Sequence, residues 1–204
     1  MKTILYLSCS PGGAGAVSRI MADEVVTHLR RLHPAATVAE RDLAANPPAI
    51  VDAAFRAAIL APPDFGHPAL AASEALIAEL EACDALVIAT PMHNYSVPAV
   101  LKAWIDQIVR IHRTFASTPA GKRGMMADRP VYVVVASGGW FSGPSPTGVP
   151  PQPDFLTPYL RAVFATIGLR DVRFLTLEGV TRGPEMRDAA FAAARVKLAG
   201  WLPA

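Results

Sequence analysis

The segment from Ser10 to Ser18, with the sequence SPGGAGAVS, has the residue types that allow a backbone to hold an anion. Small residues let the backbone approach closely, and a helix that begins behind them adds free N–H groups and a positive dipole end. The hydroxyl groups of Ser10 and Ser18 could add hydrogen bonds to a phosphate. The alternative is an ordinary strand-to-helix turn in which Ser18, the expected N-cap, only caps the helix. The segment has neither the Gly-Lys-Ser/Thr ending of a P-loop nor a GxGxxG fingerprint.

The segment from Pro91 to Pro98, with the sequence PMHNYSVP, has the groups that a flat heterocyclic ligand needs. Such a ligand takes hydrogen bonds from backbone donors along its polar edge and rests a face on apolar or aromatic surface. The alternative is a capped turn in which Asn94 binds the local backbone. We prefer ligand binding, because conspicuous loop residues on a rigid scaffold are a functional signal.

A third segment, Ala136-Ser137-Gly138-Gly139, follows a strongly apolar run. Two adjacent glycines allow the backbone to turn tightly against a ligand. A glycine pair is also common in turns that bind nothing, so this segment gains meaning only from its position in the fold.

Metal and nucleophile chemistry are not supported by the spacing of the reactive residues. His28 and His33 are five residues apart and do not share a helix face, so they do not form a metal pair. Neither Ser10 nor Cys9 has a base and an orienting acid visible in the sequence, which argues against a hydrolase triad. Carboxylates such as Glu178 are interpreted as surface or ion-pair groups.

Five short runs rich in branched apolar residues predict strands, several of them buried on both faces. These runs are Thr3–Cys9, Thr37–Arg41, Ala85–Thr90, Val131–Ala136 and Val172–Leu177. Helix-like stretches with apolar residues at helical spacing lie between them. The predicted helices are Ser18–Leu32, Leu70–Glu81, Pro98–His112, Phe155–Ile167 and Pro184–Trp201.

Strand and helix alternate along the whole chain, which predicts one domain, residues 1–204, with a parallel sheet and helices on both faces. Five strands favour the doubly wound order 2-1-3-4-5, the flavodoxin-like fold. In that order a ligand binds at the carboxyl ends of the strands, beside the switch point. The three segments follow the first, third and fourth strands, so we expect them to converge on one crevice.

The composition is that of a folded protein with no strong charge preference. Hydrophobic residues make up 52% and charged residues 18%, which argues against disorder. A net charge of +2 gives no reason to expect nucleic acid as a partner. No apolar run approaches the roughly 20 residues that cross a bilayer, so no membrane association is expected. The strand-like start shows no signal peptide, and we expect a cytoplasmic protein.

Two connections are long enough to suggest function. The first, Asn46–Ala69, contains a short apolar helix-like piece, Val51–Leu60. The second, Gly138–Pro153, is rich in Gly, Pro and Ser and contains Trp140 and Phe141.

Taken together, these segments resemble the FMN-dependent NADH-azoreductase family, also described as NADH:quinone oxidoreductases, and the resemblance covers nearly the whole chain. Its most specific part is Pro91-Met92-His93-Asn94-Tyr95, followed by LKAWID at 101–106 and Thr114-Phe115. Further matching segments are Arg41-Asp42-Leu43, Thr157-Pro158-Tyr159-Leu160, Ile167-Gly168, Glu178-Gly179 and Gly183-Pro184-Glu185.

The resemblance implies a homodimer with two FMN sites near the interface. It implies that Ser10 and the run Ala16, Val17 and Ser18 hold the FMN phosphate. The residues implied to contact the isoalloxazine and its polar edge are Met92, His93, Asn94, Tyr95, Ala136, Ser137, Gly138 and Gly139. The short piece Val51–Leu60 is then expected to pack at the dimer interface and to help wall the partner's flavin site.

The implied reaction is a ping-pong transfer of two electrons from NADH or NADPH to quinones, and to azo compounds in some relatives. In such an enzyme the flavin does the redox chemistry while the protein supplies position and electrostatics. No side chain is therefore predicted as a catalytic acid or base.

The chain departs from the family in both parts of the implied site. His93 stands where the family usually has Tyr, and Ala136-Ser137 stands where Ser-Arg usually precedes the two glycines. FMN binding should survive these changes because backbone groups do much of the holding. Ser117 and Thr166 replace aromatic residues that the family often places on the substrate side of the flavin.

The expected substrate-side residues are Phe115, Ser117, Trp140 and Thr166. Because the loop after Gly139 is longer than usual in the family, Trp140 could refill the space that the missing aromatic residues leave. The alternative is that Trp140 and Phe141 fold back onto the sheet.

Three other functions compete with this one. A flavodoxin-type electron carrier would bind FMN without turnover, although such carriers are typically acidic. A hydrolase or phosphodiesterase would need a nucleophile or metal set that the sequence does not display. An FMN reductase or an NADPH-preferring quinone reductase belongs to the same class of flavin-dependent oxidoreductases. Only kinetic measurements would distinguish either of them from the expected NADH:quinone oxidoreductase.

Overall fold

The computed structural model describes residues 1–201 and has the predicted architecture. A parallel sheet contains β1 (Thr3–Ser8), β2 (Thr37–Asp42), β3 (Ala85–Pro91), β6 (Val131–Ala136) and β7 (Val172–Leu177). Their order is β2-β1-β3-β6-β7, which is the order 2-1-3-4-5 once strands outside this sheet are left out. The flavodoxin-like fold predicted from the sequence is therefore confirmed.

The sheet is buried on both faces, as its apolar strands predicted. In β1, Ile4 and Tyr6 belong to the core on one face, while Leu5 and Leu7 belong to the core on the other. The helices are α1 (Val17–Leu32), α2 (Ala53–Leu60), α3 (Ala71–Ala82), α4 (Ala99–Ile108), α5 (Thr157–Ile167) and α6 (Pro184–Trp201). Helices α1 and α6 cover the first face, and α3, α4 and α5 cover the second.

Three predicted helix starts or ends were wrong, and at two of them a side chain binds the backbone locally. Helix α4 stops at Ile108 rather than His112, since the Thr114 hydroxyl accepts the Arg110 N–H at 2.9 Å and donates to the Ile108 carbonyl at 2.7 Å. Helix α5 starts at Thr157 rather than 155, since Asp154 accepts the N–H groups of residues 156 and 157.

The third correction concerns Ser18, which is not an N-cap. Helix α1 begins one residue earlier, at Val17, and Ala16 occupies the cap position without a side-chain hydrogen bond. The hydroxyl of Ser18 thus lies inside the first turn of the helix, where it serves no capping role.

A small antiparallel hairpin, β4 (Phe115–Thr118) with β5 (Gly121–Gly124), was not predicted. It is attached at the amino-terminal edge of the sheet, where the Met126 N–H donates to the Ile167 carbonyl at 3.0 Å. A Cβ at Gly124 would lie 2.2 Å from the Gly168 nitrogen, so only glycine allows the hairpin to approach this closely.

Both cysteines are free and buried. Cys9 follows β1 and Cys83 precedes β3, so they lie at opposite ends of neighbouring parallel strands. Among the helices within residues 1–201, none has the length and apolar character needed to cross a membrane.

Candidate active site

Backbone hydrogen bonds bring the three predicted segments together at the carboxyl ends of β1, β3 and β6. The Cys9 N–H donates to the Ala89 carbonyl at 2.9 Å, which joins the ends of β1 and β3. The Met92 N–H donates to the Ala136 carbonyl at 2.8 Å, which joins the ends of β3 and β6. The segments from Ser10, from Met92 and from Ala136 therefore share one edge of the sheet.

The loop after β1 delivers unpaired donors to this edge. A short 3-10 turn, Gly13–Gly15, precedes α1, and the Ser10 hydroxyl accepts the Gly12 N–H at 3.2 Å. The first N–H groups of any helix lack intrahelical partners. In α1 these groups belong to Val17 and Ser18, the residues predicted to hold a phosphate.

Ser18 provides the strongest local sign of a ligand. Its side chain is only 1% exposed, and within the part of the chain that the structure describes its Oγ atom has no hydrogen-bond partner. Leaving a buried hydroxyl unpaired costs about 1–3 kcal/mol, so native proteins rarely do it. An acceptor held at the start of α1, such as a phosphate oxygen, would satisfy this hydroxyl and the helix N–H groups at once.

The segment after β3 forms a tight turn with two residues in the left-handed conformation. His93 and Ser96 exchange two backbone hydrogen bonds of 3.0 Å, and Asn94 and Tyr95 have φ angles of 48° and 69°. This left-handed conformation is unusual for residues other than glycine and is characteristic of functional turns. Over residues 1–201, the N–H groups of Asn94 and Tyr95 have no partner in the protein and remain available to a ligand.

The backbone of the turn after β6 packs tightly against neighbouring side chains, as its two glycines suggested. The Ser137 hydroxyl accepts the Gly139 N–H at 3.3 Å. A Cβ at Gly138 would meet the Thr181 hydroxyl at 2.9 Å, and one at Gly139 would meet the Gln152 amide at 2.6 Å. The two glycines thus let the Thr181 and Gln152 side chains lie directly on the backbone, and a larger residue would displace these side chains.

Two residues at this edge were not predicted. Gln152 donates from Nε2 to the Ser137 hydroxyl at 2.8 Å and to the Met92 sulfur at 3.2 Å. Phe155 donates its N–H to the Tyr95 carbonyl at 3.0 Å, and both of these aromatic side chains are exposed, at 61% and 46%. The length of the loop had marked it as functional, but nothing in the sequence indicated which of its residues return to the site.

Trp140 packs on the connection between β7 and α6. A Cβ at Gly179, whose φ is 70°, would lie 2.6 Å from the Trp140 ring. The Arg182 guanidinium stands 5.8 Å from the ring centroid. Phe141 is buried in the core, so these contacts favour the alternative in which both aromatic residues fold back onto the protein.

Glu178 has a local structural role that the sequence did not reveal. Its carboxylate accepts the N–H groups of Phe141 at 2.7 Å and Ser142 at 3.2 Å, and it also binds the Ser142 hydroxyl. The carboxylate therefore fixes the start of the long loop rather than forming an ion pair.

The other predicted substrate-side residues lie far from this edge. Phe115 and Ser117 belong to the hairpin at the amino-terminal edge, and Thr166 lies in the last turn of α5, next to the same edge. Each strand between the two edges has six or seven residues, a span of roughly 20 Å at about 3.3 Å per residue. Phe115, Ser117 and Thr166 therefore cannot line the site formed by the loops of their own chain.

Titratable groups at the edge do not form an acid/base or metal site. Burial raises the pKa of the Cys9 thiol, so it stays protonated at neutral pH and is not a nucleophile. In the described part of the chain, no group of three His, Cys, Asp or Glu side chains could hold a metal ion. What the edge offers is an array of oriented N–H donors and the Ser18 hydroxyl, a set that fits FMN.

The sheet order and the donor-lined crevice at its switch point define a protein of the flavodoxin-like class. The family model described as "Flavodoxin-like fold" matches residues 2–202. An azoreductase from Bacillus anthracis has a similar fold, with a TM-score of 0.83 and 22% identity over 99% of both chains.

Curated relatives define the family more closely. FMN-dependent NADH:quinone oxidoreductase 4 of Pseudomonas fluorescens is 46% identical over 198 residues, which cover 97% of this chain and 94% of the relative. FMN-dependent NADH:quinone oxidoreductase 2 of Cupriavidus pinatubonensis is 47% identical over 195 residues, 94% of this chain and 93% of the relative. The chain belongs to the family of FMN-dependent NADH:quinone oxidoreductases.

Proposed function

We propose that this protein is an FMN-dependent oxidoreductase that transfers two electrons from NADH to quinones. The observation that carries the proposal is the buried, unpartnered Ser18 hydroxyl at the start of α1, beside backbone donors from two further loops. The near full-length identity to enzymes named for this activity supports it. Azo compounds are proposed as further acceptors, because the structural neighbours include azoreductases.

The loop after β1 would hold the FMN phosphate. Ser10 and Ala16 would border the phosphate where it approaches α1. Val17 and Ser18 would donate their helix N–H groups and the Ser18 hydroxyl to it. The positive end of the α1 dipole adds to the attraction for the doubly charged group.

The other two loops would hold the ring. Met92 and Tyr95 supply apolar and aromatic surface, and the N–H groups of Asn94, Tyr95 and Gly138 face no protein acceptor within residues 1–201. Bound FMN would supply the redox chemistry between the nicotinamide and the acceptor. The backbone donors of these loops, fixed along the polar edge of the ring, would stabilise added negative charge because they need no reorganisation.

The donor and the acceptor would use the same opening in turn, in a ping-pong order. The donor-lined edge at the switch point is where we propose that both reactants meet the flavin. Contacts between the protein and the part of the nicotinamide cofactor that lies away from the flavin would determine whether NADPH can replace NADH.

A homodimer would explain why Phe115, Ser117 and Thr166 lie at the opposite edge from the crevice. They could face a flavin only in a second copy of the chain, as the family resemblance implies. The apolar surface around α2 suits such an interface, since a cavity of about 540 Å³ there is lined by Val51 and Ile59 among others.

Purification and anaerobic kinetics test this proposal directly. We expect a yellow protein that releases FMN on denaturation, is bleached by NADH, and regains its colour when a quinone such as benzoquinone is added. Steady-state rates at several fixed quinone concentrations should give the parallel double-reciprocal lines of a ping-pong reaction.

The rival functions predict other results. An electron carrier would hold FMN and accumulate a one-electron reduced form with negligible NADH turnover. An FMN reductase would release reduced FMN and show saturation with added FMN as a substrate. A colourless protein whose apo form has no affinity for FMN would contradict the proposal itself.

A further inference from the structure

Gln152 brings the long loop after β6 back to the edge of the crevice. Its backbone N–H donates to the Trp140 carbonyl at 2.7 Å and closes the loop of residues 141–151. Its side chain bonds both the Ser137 hydroxyl and the Met92 sulfur, at 2.8 Å and 3.2 Å. Ser137 and Met92 follow different strands, so one amide joins the two segments that would hold the flavin ring.

The Gln152 amide also lies directly on the glycine turn. A Cβ at Gly139 would lie 2.6 Å from Oε1 and 3.0 Å from Cδ of Gln152. Both hydrogen bonds of the side-chain amide use Nε2 as the donor. No donor within residues 1–201 forms a hydrogen bond to Oε1. The amide is therefore anchored at its nitrogen, and its oxygen remains free beside the turn.

We propose that Gln152 is a further flavin-binding residue, whose carboxamide contacts the polar part of the FMN ring beside Gly139. This inference rests on the proposed function. An amide oxygen only accepts hydrogen bonds, and the N–H groups of an isoalloxazine are donors of matching type. Gln152 belongs to the same chain as the three crevice segments. Its contact with the ring would therefore supplement the hydrogen bonds from their backbone N–H groups.

Substitutions that keep the size of the side chain test the contact without relying on turnover. We expect Gln152→Leu to weaken FMN binding by the apoprotein about 3- to 10-fold, the effect of losing one hydrogen bond. Gln152→Glu places a negative charge beside a ring that gains negative charge on reduction, so the midpoint potential of bound FMN should fall. If the reduced form loses tenfold more affinity than the oxidised form, the fall is about 30 mV.

Val149→Ala provides the matched control, because Val149 lies in the same loop, is exposed, and forms no hydrogen bond to the crevice segments within residues 1–201. Its FMN affinity and potential should equal those of the unchanged protein. Thermal unfolding checks that each variant folds. Gln152→Asn, which keeps the amide but shortens its reach, provides a second variant if Gln152→Leu does not fold.

The inference is overturned if the unchanged protein binds FMN while the Gln152 variants match Val149→Ala in both affinity and potential. A purely structural role would be indicated if Ser137→Ala, which removes the hydroxyl that anchors the amide and also accepts the Gly139 N–H, reproduced the effect of Gln152→Leu and the Gln152→Glu potential stayed unchanged. If the unchanged protein binds no FMN, the proposed function fails as well, so the two failures can be distinguished.

Discussion

At the scale of single residues, the site depends on groups whose hydrogen-bonding capacity is left unused. Within residues 1–201 the Ser18 hydroxyl is buried without a hydrogen-bond partner, and the N–H groups of Asn94 and Tyr95, both at positive φ angles, have no acceptor. Such features carry a free-energy cost in the isolated chain. Their concentration at one edge of the sheet is what distinguishes a binding site from ordinary turns.

Ser18 allows the phosphate site to be tested with two substitutions. Ser18→Ala removes one hydrogen bond and should weaken FMN binding about 2- to 10-fold. Ser18→Asp adds a like charge beside the phosphate and should weaken binding far more. Titration of the apoprotein with FMN measures both effects. Thr27→Asp, on an exposed position of the same helix, is the control, and equal affinities for Ser18→Asp and Thr27→Asp would argue against this phosphate site.

At the scale of elements, the loop after β6 is held against the protein at three points along its length. Glu178 binds its start, Trp140 packs on Gly179, and Gln152 ties its end to the crevice. From the sequence, Trp140 in this long loop could refill the acceptor space that the missing aromatic residues leave. The observed contacts favour a fixed wall instead, because the Trp140 side chain is already packed on Gly179.

A double-mutant cycle tests the packing of Trp140. Gly179→Ala forces a left-handed backbone on alanine, which costs roughly 1–2 kcal/mol, and adds a clash with the ring. Trp140→Ala alone should destabilise the fold by about 1–3 kcal/mol. In the Trp140→Ala background the clash is absent, so Gly179→Ala should cost less, as chemical denaturation can measure.

Enzyme kinetics give the second half of this test. If Trp140 only packs, Trp140→Ala should leave the KM for quinones of different size unchanged with FMN still bound. A raised KM for large quinones, together with additive stability effects in the cycle, would instead support the contact with the acceptor that the sequence suggested.

At the scale of the whole molecule, the two edges of the sheet carry different halves of the expected site. The crevice residues lie at the carboxyl ends of the strands, while Phe115, Ser117 and Thr166 lie beside the amino ends. A parallel sheet keeps these edges a full strand length apart, about 20 Å. We therefore propose that a second copy of the chain supplies Phe115, Ser117 and Thr166 to the site.

The segment around α2 provides a test of this assembly. Leu60 is 67% exposed at the end of α2, and Leu60→Glu should weaken the dimer at least about tenfold by placing a charge in an apolar interface. Val196→Glu changes an equally exposed apolar residue, on α6 across the sheet, and should leave association unchanged. Sedimentation velocity over a range of concentrations measures both, and a monomeric unchanged protein would contradict the dimer.

The sheet order and the three segments that meet at its edge followed from the sequence. Short runs of branched apolar residues such as Val131–Ala136 favour strands buried on both faces, and the chirality of parallel crossovers leaves few ways to connect them. Because parallel strands place all their carboxyl ends on one edge, the meeting of Ser18, Met92 and Gly138 followed from their positions in the chain.

Long-range contacts in the folded chain determine which other residues reach that edge. Gln152, Trp140 and Glu178 take their places through contacts between residues up to 60 positions apart, which no local periodicity encodes. The hairpin that carries Ser117 was likewise hidden, because its short strands have no alternating apolar pattern and depend on the close approach of Gly124 to Gly168. Local patterns set the strands and helices, while long-range packing set the lining of the site.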